Sequence, residues 1–139
     1  MLDHYEICSR EKICKTSNIT IRIDKTIDRL DKFDLLYVPG STVVCSLKQD
    51  ETFINWLRTG KEVTYKFSAC TGSLLLGEAG FLIDKKATTH YKHLSSLTPY
   101  CKVVSNEKIV EDGNVVTVGG VTFSIDLGYI LRRNFSEKV

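Results

Sequence analysis

The sequence predicts an α/β fold, a three-layer sandwich in which a mostly parallel sheet carries helices on both faces. Three observations predict it. Strand-like and helix-like stretches alternate along the chain, the pattern of crossover connections between parallel strands. The run "DLLYVPG" (34–40) is continuously apolar up to Pro39 and Gly40, as expected of a strand buried on both faces. The stretch "KFSACTGSLLLGEAGFL" (66–82) passes from a β-prone run into a leucine-rich helical run with a cysteine at the junction.

The elements follow in order. "HYEICS" and "NITIRI" read as strands, the second with Ile19, Ile21 and Ile23 at period two. After the 34–40 strand, "ETFINWLRT" (51–59) places Phe53, Ile54 and Leu57 on one helical face and stops before Gly60. "EVTYKFSA" (62–69) is a strand, followed by a helix from about Thr71 to Gly80. "KATTHY" (86–91) is short and β-prone, and "KHLSSL" is a helical turn or two stopped near Pro99. "KIVEDGNVVTV" (108–118) reads as a β-hairpin with Asp112 and Gly113 as its turn signal. "GGVTFSIDLGYILRRNF" runs from a glycine turn into an amphipathic helix on which Ile125, Tyr129 and Ile130 share a face.

Composition narrows the class. A chain of 139 residues fits one domain, 1–139, and shares of 42% hydrophobic and 26% charged residues are those of a globular protein. The net charge is +2 and the basic residues are scattered, so no nucleic-acid partner is expected. No apolar stretch approaches the roughly 20 residues that span a bilayer. The start "MLDHYEICSREK" lacks the basic-then-apolar plan of a signal peptide, which makes the cytoplasm the expected location. The five cysteines (Cys8, Cys14, Cys45, Cys70, Cys101) are irregularly spaced without a CxxC, and reduced thiols are expected rather than a zinc cluster or a thioredoxin-type redox pair.

In an open α/β sheet, sites form beyond the carboxyl ends of the strands. Cys70 stands at such an end. A nucleophile elbow needs a reactive side chain on a sharp strand-to-helix turn with small neighbours, and Ala69, Gly72 and Ser73 meet that requirement. The helix N-terminus beneath it would favour a thiolate, and backbone N–H groups at the turn would hold an oxyanion. Packing is the other reading, since a free cysteine is most often a small buried hydrophobe. Spacing alone leaves both open.

The order of motifs adds to this. "DLLYVPGS", "CTGSLLLGEAGFL", "KKATTHY" and "EDGNVVTVGGVTFSIDLG" together resemble the ThiJ/PfpI superfamily of the class I glutamine-amidotransferase-like fold, nearest its isonitrile (isocyanide) hydratase branch. The likeness runs from about residue 4 to residue 131. It implies a flavodoxin-like sandwich, a small-molecule substrate or effector, no metal or other cofactor, and a homodimer. It also implies that Cys70 is the nucleophile and that the amides of Thr71 and of Gly40 or Ser41 form an oxyanion pocket. His90 matches a histidine near the cysteine in many members, and Gly119 and Gly120 match a glycine turn that walls the site.

The departures are specific. Ser41 replaces the family's second glycine, Ser68 stands where many elbows have glycine, and Thr71 follows the cysteine where peptidase relatives carry histidine. The first strand and helix of the family, with an Asp or Glu that contacts the cysteine, have no counterpart here. Asp3 and Glu6 do not sit in the matching motif. The expected function is therefore cysteine-dependent addition of water to an isonitrile, impaired for want of that acid. A thiol redox sensor, an effector-binding member and a glyoxalase- or deglycase-like enzyme are the alternatives. His93 is expected on a solvated face, Glu78 as a helix-face charge, and Asp126 in a structural place near the start of its helix.

Overall fold

The computed structural model describes residues 8–9, 13–16, 19–23 and 25–136. Ten short strands and five α-helices follow one another: β1 (Cys8–Ser9), β2 (Ile13–Thr16), β3 (Ile19–Arg22), β4 (Lys25–Thr26), β5 (Leu35–Val38), α1 (Val44–Gln49), α2 (Glu51–Arg58), β6 (Tyr65–Ala69), α3 (Gly72–Glu78), β7 (Lys86–Ala87), α4 (Leu94–Leu97), β8 (Val103–Val104), β9 (Ile109–Asp112), β10 (Val115–Val118) and α5 (Ser124–Ser136). The principal sheet has the order β5-β6-β10-β9, with β5, β6 and β10 parallel and β9 antiparallel. Three two-stranded pairs accompany it: β1 with β4, β2 with β3, and β7 with β8.

Side-chain alternation along the strands makes two cores. On one face, Val38 and Val115 pack with Val44, Ile54, Leu57, Leu74 and Leu76 under α1 to α4. On the other, Tyr65, Phe67, Ala69, Val116 and Val118 pack under Leu127 and Ile130 of α5. Helices therefore cover both faces, as the alternating pattern predicts. β6 is central and buried along its whole length.

Several elements depart from expectation, each for a local reason. β5 is parallel as expected but lies at an edge of the described sheet, so only Val38 is fully buried and Tyr37 is 43% exposed. Burial pushes the Tyr37 hydroxyl up from its ordinary value, against a smaller opposing influence of Ser124 at the start of α5. On α5, Ile130 points inward while Ile125 and Tyr129 are 86% and 70% exposed. Positions 125 and 130 lie about 140° apart on a helix, so they do not share a face. The hairpin turns at Gly113 and Asn114, one residue later than the turn signal, with Asp112 paired to Val115 and Gly113 at φ +61°. The "ATTHY" stretch leaves its strand after Ala87 and turns into a 3₁₀ helix at Tyr91. α1 was not visible as a periodic run. α2 begins as expected, its Asp50 carboxylate capping the Phe53 N–H at 3.0 Å.

Candidate functional site

β6 delivers Cys70 into a strand-to-helix turn, and the backbone there is forced. Cys70 sits at φ +55°, a left-handed conformation that L-residues other than glycine rarely adopt. Its N–H continues the sheet by bonding Val118 O at 2.9 Å, so strand pairing holds the residue up to the bend. Two hydroxyls then seize its carbonyl: Thr89 Oγ1 donates at 3.0 Å and Ser73 Oγ at 3.3 Å. A non-glycine residue in this conformation carries strain of roughly 1–3 kcal/mol, which the surroundings must over-determine. Here a ladder bond on one side and two hydroxyls on the other do so.

The end of β5 presses against this turn, and two glycines let it. A side chain on Gly40 would put its Cβ 2.7 Å from Cys70 Cβ. One on Gly72 would lie 2.8 Å from Pro39 O and closer still to Val38 O. Thr71 fastens the contact from its hydroxyl, accepting from Ser41 N–H and donating to Ser41 O, both at 3.2 Å. Ser41 Oγ in turn accepts from Val43 N–H at 3.2 Å and leads the chain into α1. The serine that replaces a glycine at 41 thus shapes the turn. Ser41 N–H is thereby engaged by the Thr71 hydroxyl.

The third wall comes from β10. Gly119 bonds Lys108 O through its N–H at 2.8 Å, and a Cβ there would lie 3.3 Å from Thr89 O. Gly119 is thereby held against the residue that grips the Cys70 carbonyl. Gly120, one residue on, is extended and its carbonyl accepts from Phe123 N–H at 3.1 Å. His90 follows Thr89, but not as a strand residue. Its Nδ1 accepts from Lys92 N–H at 3.3 Å, capping the 3₁₀ turn, and its ring centre lies 4.5 Å from that of Tyr91. Cys70, Gly40, Ser41 and Thr71 are therefore packed or hydrogen-bonded together, Gly119 joins them only through Thr89, and His90 and Gly120 are each one peptide further.

The remaining candidates fall outside this cluster. His93 is 5.9 Å from His90 ring to ring, and among the described residues no group of three or more His, Cys, Asp or Glu is placed to hold a metal. Glu78 contributes its carbonyl to Arg58 at 3.2 Å, and Asp126 is an exposed acid in the first turn of α5. Asp3 and Glu6 lie outside the described residues. Cys45 is exposed, while burial pushes the Cys101 thiol up from its ordinary value against a smaller opposing bond from the Val103 backbone. No described helix is long and apolar enough to cross a membrane.

Residue-by-residue reasoning passed over the hydroxyls beneath the elbow. Ser68, Ser73, Thr88, Thr89 and Thr117 are all at most 1% exposed. Thr88 N–H bonds Thr117 Oγ1 at 2.9 Å, and Ser68 Oγ is buried without a partner. Consecutive threonines before His90 were the available signal, since buried hydroxyls must find acceptors.

Comparison with known proteins agrees with this geometry. The model of the DJ-1/PfpI family matches residues 5–131. Isonitrile hydratase of Pseudomonas putida is 32% identical over 120 residues, covering 86% of this chain and 53% of the relative. Among solved structures, a ThiJ/PfpI family protein from Pseudomonas syringae superposes with a TM-score of 0.80 at 27% identity, covering 91% of this chain and 54% of that one. Schizosaccharomyces pombe DJ-1 shares the fold with a TM-score of 0.71 at 17% identity, over 91% of this chain and 72% of its own. The chain thus spans about half the length of the hydratase and of the Pseudomonas syringae protein.

Proposed function

The chain belongs to the DJ-1/PfpI family, and from that premise we propose that Cys70 is a nucleophile toward electron-poor carbon, with isonitriles as its substrate class. The observation that carries this reading is the left-handed Cys70 backbone at a strand-to-helix turn, sealed against the Gly40 loop. A packing cysteine has no need of that conformation.

The chemistry balances with the groups at hand and water. The thiolate adds to the terminal isonitrile carbon and a proton reaches the same carbon, giving a thioimidate. Water then adds to that carbon as the nitrogen takes a proton. The hydroxyl of the tetrahedral carbon then gives up its proton as the thiolate is expelled, which returns the proton taken up in the first step and leaves an N-substituted formamide. The Gly40 and Thr71 amides would hold the oxygen that forms on this carbon. His90 is assigned to the pocket rim, where Lys92 N–H fixes its tautomer by occupying Nδ1. Slow turnover is part of the reading, because neither Asp3 nor Glu6 sits in the motif that carries the family acid. A missing proton-transfer group costs roughly 10²–10⁴-fold in rate.

The test is incubation with a simple alkyl isonitrile, following the covalent adduct by intact mass and the formamide by chromatography. An adduct on Cys70 that is lost in Cys70→Ser supports the assignment. Robust turnover that survives in Cys70→Ser refutes it.

A thiol redox sensor is the second reading, favoured by the partial exposure of Cys70 beside backbone amides. Mild peroxide should then oxidise Cys70 first. The reading extends to assembly as a two-fold homodimer, supported by the β5 edge and by exposed Tyr37, Ile125 and Tyr129. Light scattering that reports a monomer at micromolar concentration rejects it.

A further inference from the structure

The opposite end of the sheet holds a second feature. A cavity of about 430 Å³ opens between the start of β6, the segment after α3 and the β9–β10 turn. Lys66 reaches into it from the central strand. The residue is 8% exposed, and its Nζ donates to Lys61 O at 3.0 Å and Val63 O at 2.5 Å. The ammonium also sits 4.9 Å from the centre of the Phe81 ring. Among the described residues the ion pairs join Arg29 to Asp31, Lys85 to Asp112, Lys86 to Glu107 and Arg133 to Glu111, and none includes Lys66. Glu62 acts on it only as a weaker, longer-range influence.

A buried cation without a paired carboxylate is costly, because carbonyl dipoles and a ring face replace only part of its lost hydration. Two further lysines line the same cavity. Lys61 is exposed, and Lys85 shares its charge with Asp112 at 3.8 Å. Thr64 and Asn114 add neutral hydrogen-bonding side chains to the lining. What such a lining lacks is negative charge, and more than a single carboxylate's worth.

We propose that this cavity binds a small phosphate-bearing anion, with Lys66 as its buried counter-charge and Lys61 and Lys85 closing on the outer oxygens. Lysine is a point-charge donor suited to phosphate, and a cavity lined by three lysines and polar residues of three chain segments suits a multi-oxygen dianion better than a planar carboxylate. The site is separate from the elbow. Three residues of β6, Phe67 to Ala69, lie between Lys66 and Cys70, four steps or roughly 13 Å of extended chain. Its occupancy and the chemistry of Cys70 can therefore fail independently.

Titration calorimetry of the whole chain with inorganic phosphate and with pyrophosphate tests this, with sodium chloride at matched ionic strength and acetate as references. The expected result is a saturable one-to-one isotherm for the phosphates. Lys85→Ala should weaken binding about threefold to tenfold, and Lys66→Met by more than about tenfold, scaled to the loss of a charge-assisted contact. Lys85 is at the surface, so that variant keeps the test decisive if Lys66→Met does not fold. Cys70→Ser should bind phosphate as the parent does. Heat no greater than that of chloride, equal binding of acetate, or unchanged affinity in Lys85→Ala would each overturn the assignment.

Discussion

Replacing Gly72 with alanine isolates the contact on which the elbow depends. Gly72 opens α3, where alanine is intrinsically preferred by about 1 kcal/mol. The methyl group, however, would meet Pro39 O at 2.8 Å and the Pro39 carbonyl carbon at 3.0 Å, with Val38 O nearer still. All three are backbone atoms of the β5 exit, which cannot rotate away. Overpacking of this kind costs about 1–3 kcal/mol, and unyielding backbone puts it at the upper end. Subtracting the helical gain leaves a net loss of about 2 kcal/mol. With a urea slope near 2 kcal/mol/M, the midpoint should fall by about 1 M. The loop must also lift from the turn, so thiol alkylation at Cys70 should change rate. Gly128 supplies the control. A Cβ there meets nothing within 4 Å in α5, so Gly128→Ala should stabilise by up to about 1 kcal/mol. The reasoning is refuted by a Gly72→Ala midpoint at or above that of the parent.

Three other outcomes are expected. Cys70→Gly should be about 1 kcal/mol more stable than Cys70→Ala in urea unfolding, because glycine accepts φ +55° without the Cβ penalty. Limited alkylation with peptide mapping should label Cys70 ahead of Cys45 and Cys101, and preferential labelling of Cys45 would count against the elbow. The Glu107 carboxyl is held below its ordinary value of 4.5 by bonds from Lys86 and Ser105. A depressed folded value means the stabilisation is present above 4.5 and is lost as pH falls through the folded value. Glu107→Gln should therefore flatten the acid side of the thermal-midpoint profile, and an unchanged profile would show the pair to be screened out.

The central strand, the elbow and the α5 approach were legible because their signals are local. "YKFSA" is a buried run, Ala69 and Gly72 mark a tight turn, and the glycines at 119 and 120 lead into a helix, although of the face read for it only Ile130 is buried while Ile125 and Tyr129 are exposed. What was not legible depends on partners distant in the chain. Tyr37 reads as core within "DLLYV", yet its exposure is fixed by which strand stands beside β5. His90 reads as a strand residue, yet the chain turns once Thr88 N–H finds Thr117 and Thr89 Oγ1 finds the Cys70 carbonyl. The role of Thr71 was similarly hidden. Its motif position suggested only an amide, whereas its hydroxyl is what ties the elbow to Ser41.

The left-handed backbone at Cys70 also bears on how this position can evolve. Most substitutions there inherit the strain without the thiol, whereas glycine removes it and asparagine tolerates it. In a lineage where the thiol no longer serves, drift should run downhill toward glycine, faster than at a relaxed core cysteine such as one held in an ordinary strand. Retention of cysteine at an unfavourable dihedral is then a sign of continuing selection that a buried, comfortable cysteine does not give.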